Sequence, residues 1–142
     1  MRNILLDTGA IVGLLRPTDR HHERVKGFFA SLRPTDALLT TWPVITECSF
    51  IMRHQEAIYW NWLLSSEAQI VDFALDDIPR MRAWRGRYAD REVDLADQTL
   101  VWLGERCRTN LIATTDFDDF ETYRLPSGKP FKILIPRSQA DA

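Results

Sequence analysis

The chain has 142 residues, 45% of them hydrophobic and 27% charged, with a formal net charge of −2. That length suits one domain with a single sizeable core, and the composition is that of a soluble globular protein. No apolar stretch approaches the roughly 18 residues of a membrane span, and Asp7 interrupts the N-terminal apolar run too early for a signal peptide. Cys48 and Cys107 have neither metal nor redox spacing, suit a reducing cytoplasm, and read as packing residues on apolar helix faces.

In chain order, Asn3–Leu6 reads as a short buried strand, followed at once by a helix over Thr8–Leu15 that stops at Arg16-Pro17. Asp19 is placed to cap a second helix through about residue 32, whose Val25, Phe28, Phe29 and Leu32 recur at helical spacing. A second strand follows at 37–40, then a helix over 43–54 that Pro43 opens near its first position. Residues 55–65 read as another helix, rich in aromatics. The third strand is expected at 68–72, and a helix at 76–88 with Pro79 confined to its first turn. A helix over 95–108, a strand at 111–114 and a strand at 132–135 complete the pattern, and 139–142 reads as a loose tail. Strands separated by helices indicate one domain, residues 1–138, built on a parallel α/β sheet with helices on both faces.

Four acids stand where an apolar run ends or a helix begins. Asp7 closes the first strand, Asp116 follows the strand at 111–114, Glu47 lies in the first turns of its helix, and Asp97 opens another. Ligands of open parallel sheets bind at the carboxyl ends of the strands. On a helical wheel, Val44, Ile45, Cys48, Ile51 and Met52 fill an arc of roughly 120°, and Glu47 sits roughly 40° outside it, on the shoulder of the buried face. Each acid has an ordinary structural alternative: a helix-dipole partner for Asp97, a cap for Asp116, a solvated side chain for Glu47. Asp94 is itself a good helix N-cap. Asp7 resists such an explanation, because a carboxylate ending a buried strand is costly without a cation or hydrogen-bond donor. Together the four point to a bound hard cation, Mg²⁺ or Mn²⁺, since the donor set is all oxygen. Thr8 and Thr115 flank the strand-end acids and can hold a bound water or close the turn. The three histidines, His21, His22 and His54, stand in no evident relation to these acids. The chain carries 18 basic and 20 acidic side chains, four of the latter being these, so the remaining surface is mildly basic and a nucleic-acid partner is not excluded.

The stretches Leu5-Leu6-Asp7-Thr8-Gly9-Ala10, Ile45-Thr46-Glu47, Asp94-Leu95-Ala96-Asp97-Gln98 and Thr114-Thr115-Asp116-Phe117-Asp118-Asp119-Phe120 resemble, in order and separation, the PIN-domain ribonucleases, and most closely the VapC-type toxins of toxin–antitoxin modules. The resemblance implies an α/β/α sandwich and a divalent-metal endoribonuclease whose acidic quartet is Asp7, Glu47, Asp97 and Asp116. Asp94 and Asp119 match acidic positions present in some members. Gln98 stands where the family more often has Ala. The resemblance also implies an RNA substrate, a cognate antitoxin and a homodimer.

Two further features bear on partners. Arg80, Trp84, Arg87 and Arg91 share one face if the helix at 76–88 extends that far, and arginines around an aromatic can hold phosphates and stack a base. The segment with Ile58, Tyr59, Trp60, Trp62, Leu63 and Leu64 is apolar on most sides, as in a helix that is either deep core or partly given to an interface, the second being favoured. Two competing readings are a PIN-like binding module without turnover and a retroviral-type aspartic protease, whose active-site loop Leu5–Ala10 also resembles. The protease requires an all-β chain and leaves Glu47, Asp97 and Asp116 unexplained.

Overall fold

The apolar run at the N-terminus forms the middle strand of the sheet. In the computed structural model, which describes residues 1–138, β1 (Asn3–Leu6) pairs in parallel with β2 (Ala37–Thr40) on one side and β4 (Leu111–Ala113) on the other. β3 (Gln69–Ile70) and β5 (Lys132–Ile133) complete an all-parallel sheet of order β3-β2-β1-β4-β5. Ile4, Leu5 and Leu6 are all fully buried, as expected of a strand covered on both faces, where hydrophobic residues run continuously instead of alternating. Leu5 is the register centre, opposite Leu39 and Ile112. At the amino ends of β1 and β2, Arg2 clamps Asp36 with two parallel N–H···O bonds of 3.0 and 2.8 Å.

Seven α-helices flank the sheet among the described residues, making an α/β/α sandwich: α1 (Thr8–Leu15), α2 (His22–Ala30), α3 (Trp42–Ile51), α4 (Glu56–Ser65), α5 (Ile78–Gly86), α6 (Leu95–Arg106) and α7 (Phe117–Thr122). α1 stops where Arg16, forced out of helical geometry by Pro17, adopts φ −111° and ψ 102°. α6 is the most deeply buried helix, with Leu100, Val101, Trp102 and Leu103 all in the core. Its Gly104 passes close to the rest of the structure, since an added Cβ would lie 2.9 Å from the Thr109 carbonyl oxygen and 3.3 Å from Leu5 Cδ1. Among the described residues, no helix is long and apolar enough to cross a membrane.

Several boundaries differ from the sequence expectation. Asp19 does not cap α2: its Oδ1 accepts the His21 N–H at 2.8 Å, building a turn that delays the helix to His22. α3 ends at Ile51, and a 3₁₀ turn at Arg53–Gln55 separates it from α4. The edge strands are only two residues long, each having one neighbour. The helix expected at 76–88 begins as a 3₁₀ turn, Leu75–Asp77, and ends at Gly86. α7, Phe117–Thr122, is absent from the sequence expectation, which has no element between the strands at 111–114 and 132–135. Cys48 is fully buried, and that burial pushes its thiol up, but Cys107 caps the end of α6 half-buried. The tail expected at 139–142 lies outside the described residues.

Gly104→Ala is expected to lower stability by about 1–3 kcal/mol through overpacking against backbone. Gly27→Ala, within α2 where no atom lies within 4 Å of the new methyl, should raise it by about 0.5–1 kcal/mol. Urea unfolding of both variants checks the pair, and equal effects would contradict the packing described.

Candidate metal centre

β1 and β4 are neighbours, but the chain runs from β1 to one side of the sheet and from β4 to the other. The crevice at their carboxyl ends is the switch point where ligands of open parallel sheets bind. Asp7 enters it from β1, Asp116 from the loop after β4, Asp97 from the first turn of α6, and Glu47 from α3.

Asp7 is only 5% exposed. Its Oδ1 accepts the Thr8 N–H at 2.8 Å and its Oδ2 accepts the Thr114 hydroxyl at 2.7 Å. Burial pushes its carboxyl up to about 6 against the opposing effect of those two hydrogen bonds, with the charges of Glu47 and Asp94 adding to the rise. Thr114 Oγ1 also accepts the Asp116 N–H at 2.9 Å, so one hydroxyl joins both strand-end acids. The loop can approach because residue 9 is glycine: a Cβ there would overlap Thr115 Oγ1.

Asp97 is 8% exposed, and Tyr123 Oη donates to its Oδ2 at 2.9 Å. Desolvation, followed by the charges of Asp7 and Asp94, raises its carboxyl to about 8. Asp94 caps α6, its Oδ1 accepting the Asp97 N–H at 2.8 Å. Asp116 is exposed at the rim. Partial desolvation of its carboxyl and the adjacent Asp119 push it up to about 7. Oxygens of Asp97, Asp116 and Asp119 all lie within 4.8 Å of one another. Asp119 also accepts from Arg91 Nη2 at 2.6 Å.

The expected quartet is therefore arranged unevenly. Asp97 and Asp116 meet, joined by the second-rank Asp119. Asp7 lies behind them, near enough for its field to raise both. Half-buried Glu47 stands outside that trio and near Asp94, its carboxyl raised chiefly by burial. Thr8 Oγ1 lies near Glu47 and favours its charged form, yet forms no hydrogen bond of proper geometry and is buried. An orphaned hydroxyl among closely spaced carboxyls fits a site built for a cation with bound water.

Tyr123 and Thr114 were not anticipated. Tyr123 had a signal: Phe117, Phe120 and Tyr123 recur every three residues and are all buried, and a buried phenol needs a hydrogen-bond partner. The arginine face does not form. α5 ends before Arg87 and Arg91, Trp84 is 3% exposed with its indole N–H bonded to the Arg124 carbonyl, and Arg80 pairs with Glu105. His21, contrary to expectation, lines a cleft with Asp116. A cleft of about 430 Å³ bordered by Arg80, Arg108 and Lys129 lies at the amino end of β4, away from the carboxylates.

The family model of the PIN domain matches residues 4–125. The chain belongs to the PIN domain family. Its fold matches that of VapC20 from Mycobacterium tuberculosis, a sarcin-ricin loop cleaving toxin, with TM-score 0.70 at 19% identity over 81% of this chain and 91% of that one. FitAcB from Neisseria gonorrhoeae matches with TM-score 0.60 at 21% identity, over 80% and 88%. VapBC2 from Rickettsia felis, bound to a promoter DNA fragment, matches with TM-score 0.66 at 13% identity, over 92% and 98%. Among curated protein sequences none matches the chain. The parallel sheet of this PIN domain rules out the all-β protease reading.

The raised carboxyls fix how stability depends on pH. A group whose folded-state pKa exceeds its unfolded value contributes fully below the unfolded value, and the contribution is lost as pH rises through the folded one. For Asp7, Asp116 and Asp97 that window runs from the ordinary aspartate value of 3.8 up to about 6, 7 and 8. In EDTA, the melting temperature of this PIN domain should therefore fall across that window, and Asp97→Asn should flatten the fall and raise the melting point at its upper end. Calorimetry checks this, and a steeper fall in the variant would contradict it.

Proposed function

We propose that this PIN domain is a divalent-metal-dependent endoribonuclease, the toxin of a toxin–antitoxin pair. The observation that carries the reading is the approach of Asp97, Asp116 and Asp119 to within 4.8 Å at the sheet's switch point, beside buried Asp7. Like charges that close, half-desolvated and without a matching set of cations, suit a bound Mg²⁺ or Mn²⁺. Asp97, Asp116 and Asp119 would hold the ion, with Asp7 and Glu47 as further ligands directly or through water. When bound, such an ion polarises the scissile phosphate and lowers the pKa of an attacking water. Tyr123 fixes the Asp97 carboxylate, Thr114 fixes Asp7 relative to Asp116, and the Thr8 hydroxyl is available to orient water.

RNA as substrate is supported by the structural neighbour that cleaves the sarcin-ricin loop, and an antitoxin partner by a toxin–antitoxin complex from Klebsiella pneumoniae, similar in fold with TM-score 0.62 at 18% identity over 84% of this chain and 91% of that one. A homodimer contact through α4 is supported by its exposed apolar side chains, Ile58 at 51% and Leu64 at 85%. Trp60 and Trp62 serve packing more than expected, Trp62 meeting Phe29 edge-on. Two free cysteines agree with a cytoplasmic protein.

Purified protein should cut single-stranded RNA with Mg²⁺ or Mn²⁺, leave 5′-phosphate and 3′-hydroxyl ends, and stop in EDTA. Asp97→Asn should reduce cleavage about a hundredfold or more, and Tyr123→Phe should weaken metal affinity by about 10–100-fold. Cleavage that persists in EDTA with 2′,3′-cyclic ends would overturn the mechanism, and RNA binding without turnover would favour the non-catalytic module. In sedimentation, Leu64→Asp should weaken self-association by about 2 kcal/mol or more. A wild type monomeric at every concentration would remove the dimer.

A further inference from the structure

We infer that the cleft beside Asp116 is a phosphate subsite, in which Arg20, His21 and Arg137 seat a backbone phosphate of RNA adjoining the scissile one. The inference rests on the endoribonuclease reading. A crevice holding this many carboxylates repels a polyanion everywhere except at its bound ion, so a strand needs cationic groups beside it to be held in register. Arg91 is engaged by Asp119 at 2.6 Å, and the basic cleft with Lys129 opens at the other end of β4. The cleft of about 190 Å³ lined by Arg20, His21, Arg137 and Phe117 together with Asp116 and Asp118 brings basic side chains to the same cleft as one of the three clustered carboxylates.

This cleft is built from segments far apart in the chain, the turn before α2 and the segment after β5. They are tied by Arg24, whose Nη1 donates to the Pro136 carbonyl at 2.6 Å. Arg24 Nη2 also donates to His21 Nδ1. Guanidinium has no acceptor, so Nδ1 must be the unprotonated nitrogen and the imidazole carries its N–H donor on Nε2. Phe117 organises the cations. Arg137 lies over its ring at 5.3 Å and Arg24 at 5.9 Å, while His21 meets it edge-on. The ring is therefore a platform for guanidinium groups. One peptide bond separates Phe117 from Asp116, so the cationic wall keeps a fixed relation to the metal-site carboxylate. Arg137 pairs with Asp118 at 2.7 Å and with Glu121 at 3.6 Å, but both carboxylates are exposed, at 87% and 52%, so these pairs are weak and a phosphate can compete with them.

The test uses a labelled single-stranded oligoribonucleotide, with binding read by fluorescence anisotropy in EDTA and cleavage kinetics read in Mg²⁺. Replacing Arg20 and Arg137 together by Ala should raise Kd about tenfold and reduce the slope of log K against log salt by about 0.7 per lost contact. KM should rise by a similar factor while kcat holds within about twofold, because the subsite binds ground and transition states alike. Lys129→Ala should change neither. Arg20→Ala alone, at an exposed turn position, should give part of the effect and guards against local loosening by Arg137→Ala. Arg137→Lys should keep most of the binding. If the wild type cuts RNA but the double variant matches it in KM and, where measurable, Kd, or loses only kcat, the subsite is wrong and the nuclease reading stands. If the wild type neither binds nor cuts RNA, both fall.

Discussion

Everything at the carboxyl end of the sheet depends on one buried carboxylate. Asp7 terminates the central strand and is held by one N–H and one hydroxyl. Desolvating an ionised carboxylate costs several kcal/mol, and two hydrogen bonds offset only part of that. The remainder appears as a carboxyl raised to about 6 and as pressure on its neighbours. Thr114 must be buried to donate to it, which draws the Asp116 loop inwards. Residue 9 must lack a side chain for that loop to fit. Asp97, in the field of Asp7, carries the highest pKa of the group.

The carboxylates form an ordered series around that centre. Asp97, Asp116 and Asp119 meet closely, Asp94 acts on both Glu47 and Asp97, and Asp7 interacts with Glu47, Asp94, Asp97 and Asp116. The protein does not neutralise the series with buried arginines. Arg91 answers Asp119 from a loop, and the other nearby cations gather on Phe117, outside the cluster. An acidic interior bordered by a basic wall suits a ligand that is anionic along its length and meets a cation at one point.

Much of this was legible in the sequence, for physical reasons. Asn3–Leu6 is too short and too continuously apolar to be anything but a covered strand, so Asp7 had to be exceptional. Of the helical arc beside Glu47, Val44, Ile45, Cys48 and Met52 are buried as expected, while Ile51, at the end of α3, is half-buried. Asp94 is the N-cap its position suggested. What escaped lay in long-range geometry or short elements. α7 has six residues, too few to display a period. The ranking of Asp119 above Glu47 in the cluster depends on how that helix turns back over the sheet. The arginine face failed because helix length was overestimated and Trp84 was needed in the core. His21 is linked to Asp116 only by a loop meeting across the fold, for which no spacing in the chain is a guide.

The bond from Thr114 to Asp7 spans 107 residues, and Tyr123 reaches back 26 residues to Asp97. During synthesis, therefore, the strand bearing Asp7 emerges long before the groups that orient it. A nascent chain that has completed β1, β2 and α3 still lacks Asp97, Asp116, Asp119 and Tyr123. Contacts of such wide sequence separation form late, after the loop-closure entropy has been met. The centre thus comes into being only when almost the whole chain is made, and a product terminated after α3 carries Asp7 and Glu47 without the three clustered aspartates.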